Sequence, residues 1–420
     1  MADAADSNLA GRIAFTYPDF NLYQAARFFI VVAVEMQSVA VGWQVYEITH
    51  RALDLGLVGL AQFLPGILLF LVSGHAADRF DRRKLLIICY WGYLISSAVL
   101  LGFAFTEPHP RNVYAIYAIL VFVGVVRSFN GPAGRSFLTQ LVPEEHFPSA
   151  VAWNATVFQS ASIMGPALGG ILYAASRGPS VVYTTSVIAA FSAILCTLRI
   201  RAKSPARARE PRTLKTVLAG IHYIWSHKVV LGSISLDMFA VLLGGAVALL
   251  PVYARDILHT SAWGLGVLRS APGIGAAVMA ILLAYRPLRS GVGTTMLFCV
   301  AGFGAFTIIF GVSHNFALSV AALILVGAAD MVSVVIRGVL IQIATPDEMR
   351  GRVNAVDMVF IGVSNELGEF ESGLTAHWFG TVPAVVIGGA GAIIVTSLWA
   401  WWFPELRRAD RLTAASEEVG

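Results

Sequence analysis

The chain has 420 residues, of which 57% are hydrophobic and only 13% are charged. Soluble domains carry about a quarter charged residues, so this composition excludes a soluble globular protein and indicates an integral membrane protein. The formal net charge of +4 is small enough to be explained by basic loops, and it does not require a nucleic-acid partner.

The N-terminal stretch MADAADSNLAGRIAFTYPDF is polar and mixed, without the apolar core and cleavage site of a signal peptide. We therefore expect the first apolar segment to be retained as a membrane span. Cys89, Cys196 and Cys299 lie far apart, each inside an apolar run, which argues against a disulfide framework or a CxxC metal site.

Twelve apolar runs of roughly 20 residues predict twelve transmembrane helices, because a helix of that length crosses about 30 Å of hydrocarbon. The predicted spans are residues 22 to 48, 55 to 77, 85 to 106, 112 to 133, 149 to 174, 180 to 199, 229 to 253, 262 to 284, 292 to 312, 317 to 341, 353 to 378 and 382 to 403. Arginine and lysine concentrate in one set of loops, which the positive-inside rule assigns to the cytoplasm together with both termini.

The spans divide six and six, which predicts an all-α membrane protein with two pseudo-symmetric six-helix bundles. The predicted segments are a cytoplasmic tail over 1–21, a first bundle over 22–199, a basic cytoplasmic linker over 200–228, a second bundle over 229–403 and a cytoplasmic tail over 404–420. Within the linker, Leu214 to Trp225 predicts a short amphipathic helix against the inner leaflet.

The two halves share a sequence pattern after their fourth spans. RSFLTQLVPEE begins at Arg135 and RGVLIQIATPDE begins at Arg337, and both contain R-x-x-L-x-Q followed by a proline and two acids. A repeat of about 200 residues indicates a duplicated transporter fold, with a substrate site near the membrane midplane where the halves meet.

Polar residues in spans 1 and 4 are candidates for the transport pathway. Glu35 is the deepest acid of span 1 and is a candidate for proton or substrate handling. Gln37 and Gln44 share a helix face, and they either line the substrate cavity or form interhelical hydrogen bonds. Arg127 and Asn130 of span 4 are also cavity candidates, because an arginine at that depth needs a wet cavity or a carboxylate.

The loop after span 2, GHAADRFDRRK, predicts a gating element at the cytoplasmic surface. A glycine permits close helix approach, an acid can pair across an interface, and arginines hold the loop at the membrane surface. We interpret Gly74, Asp78, Arg79, Arg82 and Arg83 as this gating loop, with an ordinary positively charged loop as the alternative.

Span 5 contains a glycine-rich motif, Gly165-Pro166-Ala-Leu-Gly169-Gly170. Small residues permit close helix contact and Pro166 can kink the helix, which predicts a hinge or a sealed seam. Ordinary packing of small residues is the alternative.

The stretch SNELGEFESG places carboxylates in a predicted span. Glu366 and Glu369 lie about 60° apart on a helix, whereas Glu371 points elsewhere. A charge at mid-membrane costs about 2.5 to 3.5 kcal/mol, so these acids must be paired, hydrated or protonated. Asn365 beside them is a further cavity candidate.

Partners for these acids stand in neighbouring spans. Asp330, Ser333 and Arg337 fall at i, i+3 and i+7 on one face of span 10, and Arg269 lies in span 8. Arg269 and Arg337 are also candidates for the substrate cavity. Asp237 in span 7 is a proton-coupling candidate or a helix cap. The candidates for proton coupling are thus Glu35, Glu366, Glu369, Asp237 and Asp330, and permanent structural salt bridges are the alternative.

Three motifs resemble those of the major facilitator superfamily. The spacing G-x-x-x-D-R-x-x-R-R from Gly74 resembles its signature loop, although Asp81 stands where a glycine usually precedes the last basic pair. GPALGG resembles the core of the superfamily's antiporter motif. RSFNG from Arg127 resembles its R-x-x-Q-G motif, with asparagine in place of glutamine.

Longer phrases look like the enterobactin-exporter-like branch of the drug and siderophore proton antiporters with twelve spans. They are VGWQVYEIT, GLAQFLPGILL, LLPVYARDIL, GAADMVSVVIRGVLIQIATPDEMRGRVNAV, SNELGEFESG and FPELRRADRL. This resemblance implies proton-driven efflux of a small amphipathic or catecholate-like molecule across the inner membrane of a bacterium. A lysophospholipid-type flippase and an importer of the same fold are the alternatives.

Motifs of other membrane protein classes are missing from the sequence. Neither GxxxxGK[ST] nor HExxH nor GxSxG occurs, so we expect neither nucleotide-driven transport nor hydrolysis, and no cofactor. We expect a monomer in the lipid bilayer that binds its substrate near Glu35, Arg127 and Glu366 and releases it as protons bind.

Overall fold

The computed structural model describes residues 13–105, 113–202, 214–286, 288 and 290–409, and all regular elements in this part are helical. Most of the predicted N-terminal tail, the linker residues 203–213 and the C-terminal residues 410–420 lie outside the described residues. The fourteen helices of ten or more residues are α1 (Pro18–Thr49), α2 (Ala52–Leu68), α3 (Phe70–Arg79), α4 (Arg82–Phe105), α5 (Val113–Leu138), α6 (Phe147–Ser176), α7 (Ser180–Arg199), α8 (Leu214–Ser226), α9 (Lys228–Gly244), α10 (Ala262–Tyr285), α11 (Val292–Val312), α12 (Phe316–Ala344), α13 (Asp347–Phe379) and α14 (Thr381–Trp402).

Ten helices in the described part are long and apolar enough to cross a membrane, and an eleventh span results if a pair bent by 60° within 52–79 counts as one. The remaining predicted span, 353 to 378, lies within α13, which has 33 residues but carries several acids. The prediction of an all-α, multi-pass membrane protein is confirmed.

The described residues form two compact units. One takes in those within Met1–Ile48, Ala61–Arg212 and Ala262–Gly266, and the other takes in those within Thr49–Leu60, Thr213–Ser261 and Val267–Gly420. We call them the first and the second unit. The predicted bundles over 22–199 and 229–403 differ from these units by the start of α2 and the start of α10.

The core of the first unit is formed by large side chains at the N-terminal end of α1 and the C-terminal end of α5. Phe20, Tyr23 and Phe137 are fully buried there. The Tyr23 hydroxyl donates a hydrogen bond of 3.0 Å to the carbonyl oxygen of Gly134, which satisfies the polar end of a buried aromatic residue.

In the second unit, α9 ends at a pair of glycines. The chain then continues through a 3₁₀ turn at Ala246–Leu249 and a π turn at Tyr253–Ile257. The hydroxyl of Ser372 in α13 donates a 2.6 Å hydrogen bond to the Gly245 carbonyl oxygen. This bond satisfies a backbone acceptor that the helix break leaves free, as membrane proteins require.

The predicted linker helix is present as α8. One face packs on the second unit, where Ile224 is 1% exposed and lies in a cluster with Val353 of α13. The Tyr223 hydroxyl also donates a 2.6 Å hydrogen bond to the carbonyl oxygen of Ala344. Trp225 on another face is exposed. The predicted position of this amphipathic helix against the inner leaflet stays a prediction.

Glycines allow the backbones of α10 and α12 to touch. A Cβ atom on Gly327 would lie 1.9 Å from the Pro272 carbonyl oxygen, and one on Gly275 would lie 1.8 Å from that of Ile324. Because helix association in lipid depends on close packing of this kind, both glycines are required by the contact.

We expect Gly327→Ala to lower the free energy of unfolding by about 1–3 kcal/mol, because the added methyl group meets backbone that cannot yield. Gly338→Ala, on the same helix but with open space around it, is the matched control. The control should leave the free energy of unfolding unchanged or raise it by up to about 1 kcal/mol, because alanine has a higher helix propensity than glycine. Thermal unfolding in detergent measures both, and equal melting temperatures for the two variants would contradict the contact.

Candidate functional site

An ion-pair network lies inside the second unit. The Arg337 guanidinium of α12 pairs through Nη1 with the Asp237 carboxylate of α9, and its Nε lies 3.7 Å from Oδ1 of Asp357 in α13. Asp237 and Arg337 are only 5% and 3% exposed. Three helices are therefore joined by charges that water hardly reaches.

Asp330 adds a third carboxylate to this network. It precedes Arg337 by seven residues on the same face of α12, and it interacts electrostatically with both Arg337 and Asp237. Asp330 forms no ion pair with any residue in the described part of the chain. Between the two, the buried hydroxyl of Ser333 has no hydrogen-bond partner there.

We call Asp237, Asp330, Arg337 and Asp357 the charge cluster. Its three carboxylates and one guanidinium give a formal charge of −2 when all are ionised. Uncompensated charge in a low-dielectric interior is costly, and one bound proton reduces it to −1. The arrangement can therefore bind a proton on one of its carboxylates.

Asp357 is the member of the charge cluster that sequence reasoning missed. The sequence feature that could have identified Asp357 is its depth in the predicted span. Arg337 lies four residues before the end of predicted span 10, and Asp357 lies four residues after the start of span 11. Consecutive spans run in opposite directions, so these two positions reach the same depth in the membrane.

Gly373 of SNELGEFESG packs α13 against the first turns of α2 in the second unit. A Cβ atom on Gly373 would lie 2.8 Å from the Cα atom of Gly56. One on Gly59 would lie 2.6 Å from Oε2 of Glu369. The segment therefore forms a close helix contact, and Glu369 lies beside it.

The other polar side chains of this segment are bonded locally or are partly exposed. Glu371 accepts a 2.6 Å hydrogen bond from the Thr375 hydroxyl within α13. Asn365 is exposed, and its Nδ2 donates to the Ile361 carbonyl oxygen at 2.8 Å. Glu366 is half-buried. The roles predicted for Asn365, Glu366 and Glu369 in transport stay predictions.

The two glutamines of α1 form interhelical hydrogen bonds. Oε1 of Gln37 accepts from the Ser97 hydroxyl of α4 at 2.6 Å. Oε1 of Gln44 accepts from the Tyr183 hydroxyl of α7 at 2.7 Å. This is the packing alternative that the sequence left open, and it engages both side chains inside the first unit.

The remaining cavity candidates are distributed over both units. In the first unit, Glu35 and Asn130 are half-buried, and Arg127 is exposed. Arg127 interacts electrostatically with Tyr93 of α4. In the second unit, Arg269 of α10 is half-buried. Their participation in a substrate cavity stays a prediction.

Asp81 stands where the superfamily's loop usually has a glycine, and it has a structural role there. Its Oδ1 accepts hydrogen bonds from the backbone amides of Arg83 at 3.0 Å and Lys84 at 3.4 Å. The carboxylate therefore caps the N-terminus of α4, where an acid is favoured by both geometry and the helix dipole.

Two arginines of the predicted gating loop hold it to the first unit. Arg82 is buried, and its Nε donates to the Ala77 carbonyl oxygen at 3.2 Å. The Nε of Arg83 donates to the Thr197 carbonyl oxygen at the end of α7, at 3.1 Å. Gly74 is buried, Asp78 half-buried and Arg79 exposed. A gating role for this loop stays a prediction.

The glycine-rich motif of α6 forms close contacts within the first unit. A Cβ atom on Gly169 would lie 2.9 Å from the Cα atom of Met36 in α1. One on Gly170 would lie 2.8 Å from the Cα atom of Gly266 at the start of α10. The geometry is that of a tight seam.

Pro166 and Gly165 complete this seam. A Cβ atom on Gly266 would lie 2.6 Å from the Pro166 carbonyl oxygen, and one on Gly165 would lie 2.5 Å from the Cβ atom of Glu35. Whether the motif also bends as a hinge stays a prediction.

Comparison with known proteins gives the family. A family model described as transmembrane secretion effector matches residues 15–419. Enterobactin exporters of Citrobacter koseri and Escherichia coli are each 28% identical to the chain over 402 residues, covering 94% of both chains.

Solved structures share the fold at low identity. The D-xylose–proton symporter has a TM-score of 0.68 at 16% identity, covering 92% of this chain and 98% of its own. A bacterial homolog of the human lysosomal transporter Spinster, inward-facing and occupied, has a TM-score of 0.71 at 13% identity, covering 92% of this chain and 97% of its own.

We expect Arg337→Leu to destabilise the protein by about 3–5 kcal/mol, because it leaves buried carboxylates without a cation. The double variant Asp237→Leu with Arg337→Leu should lose less than the sum of the two single variants. A double-mutant cycle on thermal unfolding measures this coupling. Simple additivity of the two losses would show that the pair does not interact as described.

Proposed function

We propose that the chain, which belongs to the transmembrane secretion effector family of the major facilitator superfamily, exports a small amphipathic molecule in exchange for protons. The substrate class we propose is a siderophore or a drug-like compound. The proposed location is the inner membrane of a bacterium, with both termini in the cytoplasm, as the arginine and lysine distribution indicates.

The observation that carries the proposal is the charge cluster. Arg337 pairs with Asp237 and Asp357, whereas Asp330 belongs to neither of these two ion pairs. We therefore assign the transported proton to Asp330, because a proton there removes the charge that has no ion-pair partner in the described part of the chain.

The cluster also offers a way to couple protonation to helix movement. Its members come from α9, α12 and α13, and a change of charge on Asp330 alters the balance of forces on Arg337. A buried charge network with two pairing arrangements can bias two states of the surrounding helices, which alternating access requires.

The relatives support the direction of transport and the class of substrate. The curated relatives at 28% identity are named enterobactin exporters. Enterobactin is a siderophore, so we propose export for this chain, with a substrate of that class and not a particular compound.

Transport into proteoliposomes with an imposed pH gradient tests the proposal on a panel of siderophores and fluorescent cationic dyes. We expect Asp330→Asn to reduce gradient-driven transport about tenfold or more, in the range of typical coupling free energies. Glu371→Gln is the matched control, because Glu371 bonds to Thr375 within its own helix. The control should keep wild-type transport.

Other results would change the assignment. If Asp330→Asn keeps gradient-driven transport and Glu366→Gln loses it, the proton site lies in SNELGEFESG and not in the charge cluster. If no compound of the panel moves but a labelled lysophospholipid does, the protein is a flippase. Uptake driven in the opposite direction would identify an importer.

A further inference from the structure

Two helices of the first unit bury polar atoms that have no hydrogen-bond partner in the described part of the chain. The side chains are Gln24 and Arg27 of α1 and Asn154 and Ser162 of α6. Gln24 is 4% exposed, and both its amide oxygen and its amide nitrogen lack a partner. Such atoms weaken a fold unless something else bonds to them, so they suggest a ligand.

Contacts between α1 and α6 fix the relative position of these side chains. The Arg27 guanidinium lies 5.3 Å from the ring centroid of Phe158. Farther along both helices, Gly169 packs on Met36. Partners in both contacts differ by about 130 in residue number, so the helices run in parallel with a constant register.

This register places the polar atoms along one strip. Asn154 follows Gln24 by 130 positions and lies at its level, one turn before the contact of Arg27 with Phe158. Ser162 lies one turn beyond that contact. At 100° per residue, Asn154, Phe158 and Ser162 share a face of about 80° on α6.

The chemistry of the strip selects the ligand. The Arg27 guanidinium bonds to the Tyr23 hydroxyl, but its Nε has no hydrogen-bond partner among the described residues, and a cationic donor of this kind favours an anion. Phe158 is 43% exposed and offers a ring for aromatic stacking. The oxygens of Gln24 and Asn154 accept hydrogen bonds, so they match hydroxyl donors on the ligand.

The charges near the strip favour the same class of ligand, an anion. Arg27 and Arg135 both act on the Tyr23 hydroxyl, so two guanidinium groups lie near this end of α1. Their positive charges attract an anion and disfavour a cation.

We propose that the strip formed by Gln24, Arg27, Asn154, Phe158 and Ser162 is a binding site for a hydroxylated aromatic acid. Arg27 pairs with the acid group, Phe158 stacks on the ring, and Gln24 and Asn154 accept hydrogen bonds from ring hydroxyls. This inference rests on the proposed function in one respect, namely that the bound compound is the one exported.

Binding to the full chain in nanodiscs without a gradient tests the site by calorimetry. The probes are 2,3-dihydroxybenzoate, cyclohexanecarboxylate as an acid without an aromatic ring, and tetraphenylphosphonium as an aromatic cation. We expect the dihydroxybenzoate to bind more tightly than the other two. Arg27→Gln and Phe158→Leu should each raise its Kd about tenfold or more, as expected for central contacts. Equal affinity for the three probes would overturn the proposal.

A pair of variants separates a ligand site from imperfect packing. Gln24→Leu removes buried atoms without partners, so its melting temperature should rise while the Kd increases about tenfold. Gln37→Leu on the same helix breaks the bond to Ser97, so its melting temperature should fall while the Kd stays unchanged. If Gln24→Leu raises the melting temperature and leaves the Kd unchanged, Gln24 is a packing residue and the proposal fails.

The two proposals fail independently. If 2,3-dihydroxybenzoate does not bind while proteoliposomes still transport another compound with the pH gradient, the site is wrong and proton-coupled export stands. If it binds with the expected loss in Arg27→Gln but no gradient drives its transport, the site stands and its link to export is wrong.

Discussion

Arg337 is the charge on which the second unit depends, because a guanidinium buried in a membrane protein must be compensated by carboxylates. Asp237 and Asp357 supply that compensation from two other helices, and α9, α12 and α13 are thereby held to one arrangement of charges. Close glycine contacts at Gly327 and Gly275 also hold α12 against α10. Asp330 is a further, half-buried carboxylate that interacts with this network, and it is the group to which we assign the transported proton.

The two units carry different chemistry in this account. In the second unit, carboxylates outnumber the single guanidinium of the charge cluster, and the excess suits a proton. In the first unit, Arg27 lies over Phe158 among polar atoms that have no hydrogen-bond partner in the described residues, and this suits an aromatic anion. A carrier that exchanges a proton for an organic anion needs both kinds of site, and coupling then requires that occupancy of one change the affinity of the other.

Sequence alone predicted what depends on local pattern. Apolar runs predicted the long helices, and the amphipathic stretch after the basic linker predicted α8. The sequence could not show that Arg135 and Arg337 differ in burial, because both stand in the same repeated pattern. The structure exposes the first and buries the second, because burial depends on which helices surround a residue. For the same reason the sequence left open whether Gln37 bonds to substrate or to Ser97, and it overlooked Asp357, whose partner lies on another helix.

We propose that Asp330 releases its proton when substrate binds. The most direct measurement is the number of protons released per substrate bound, read with a pH-indicator dye in weakly buffered solution, for wild type and Asp330→Asn. By the reciprocity of linked binding, we expect about one proton per substrate for the wild type and none for the variant. Equal release from both proteins would contradict it, because the proton would then come from another group.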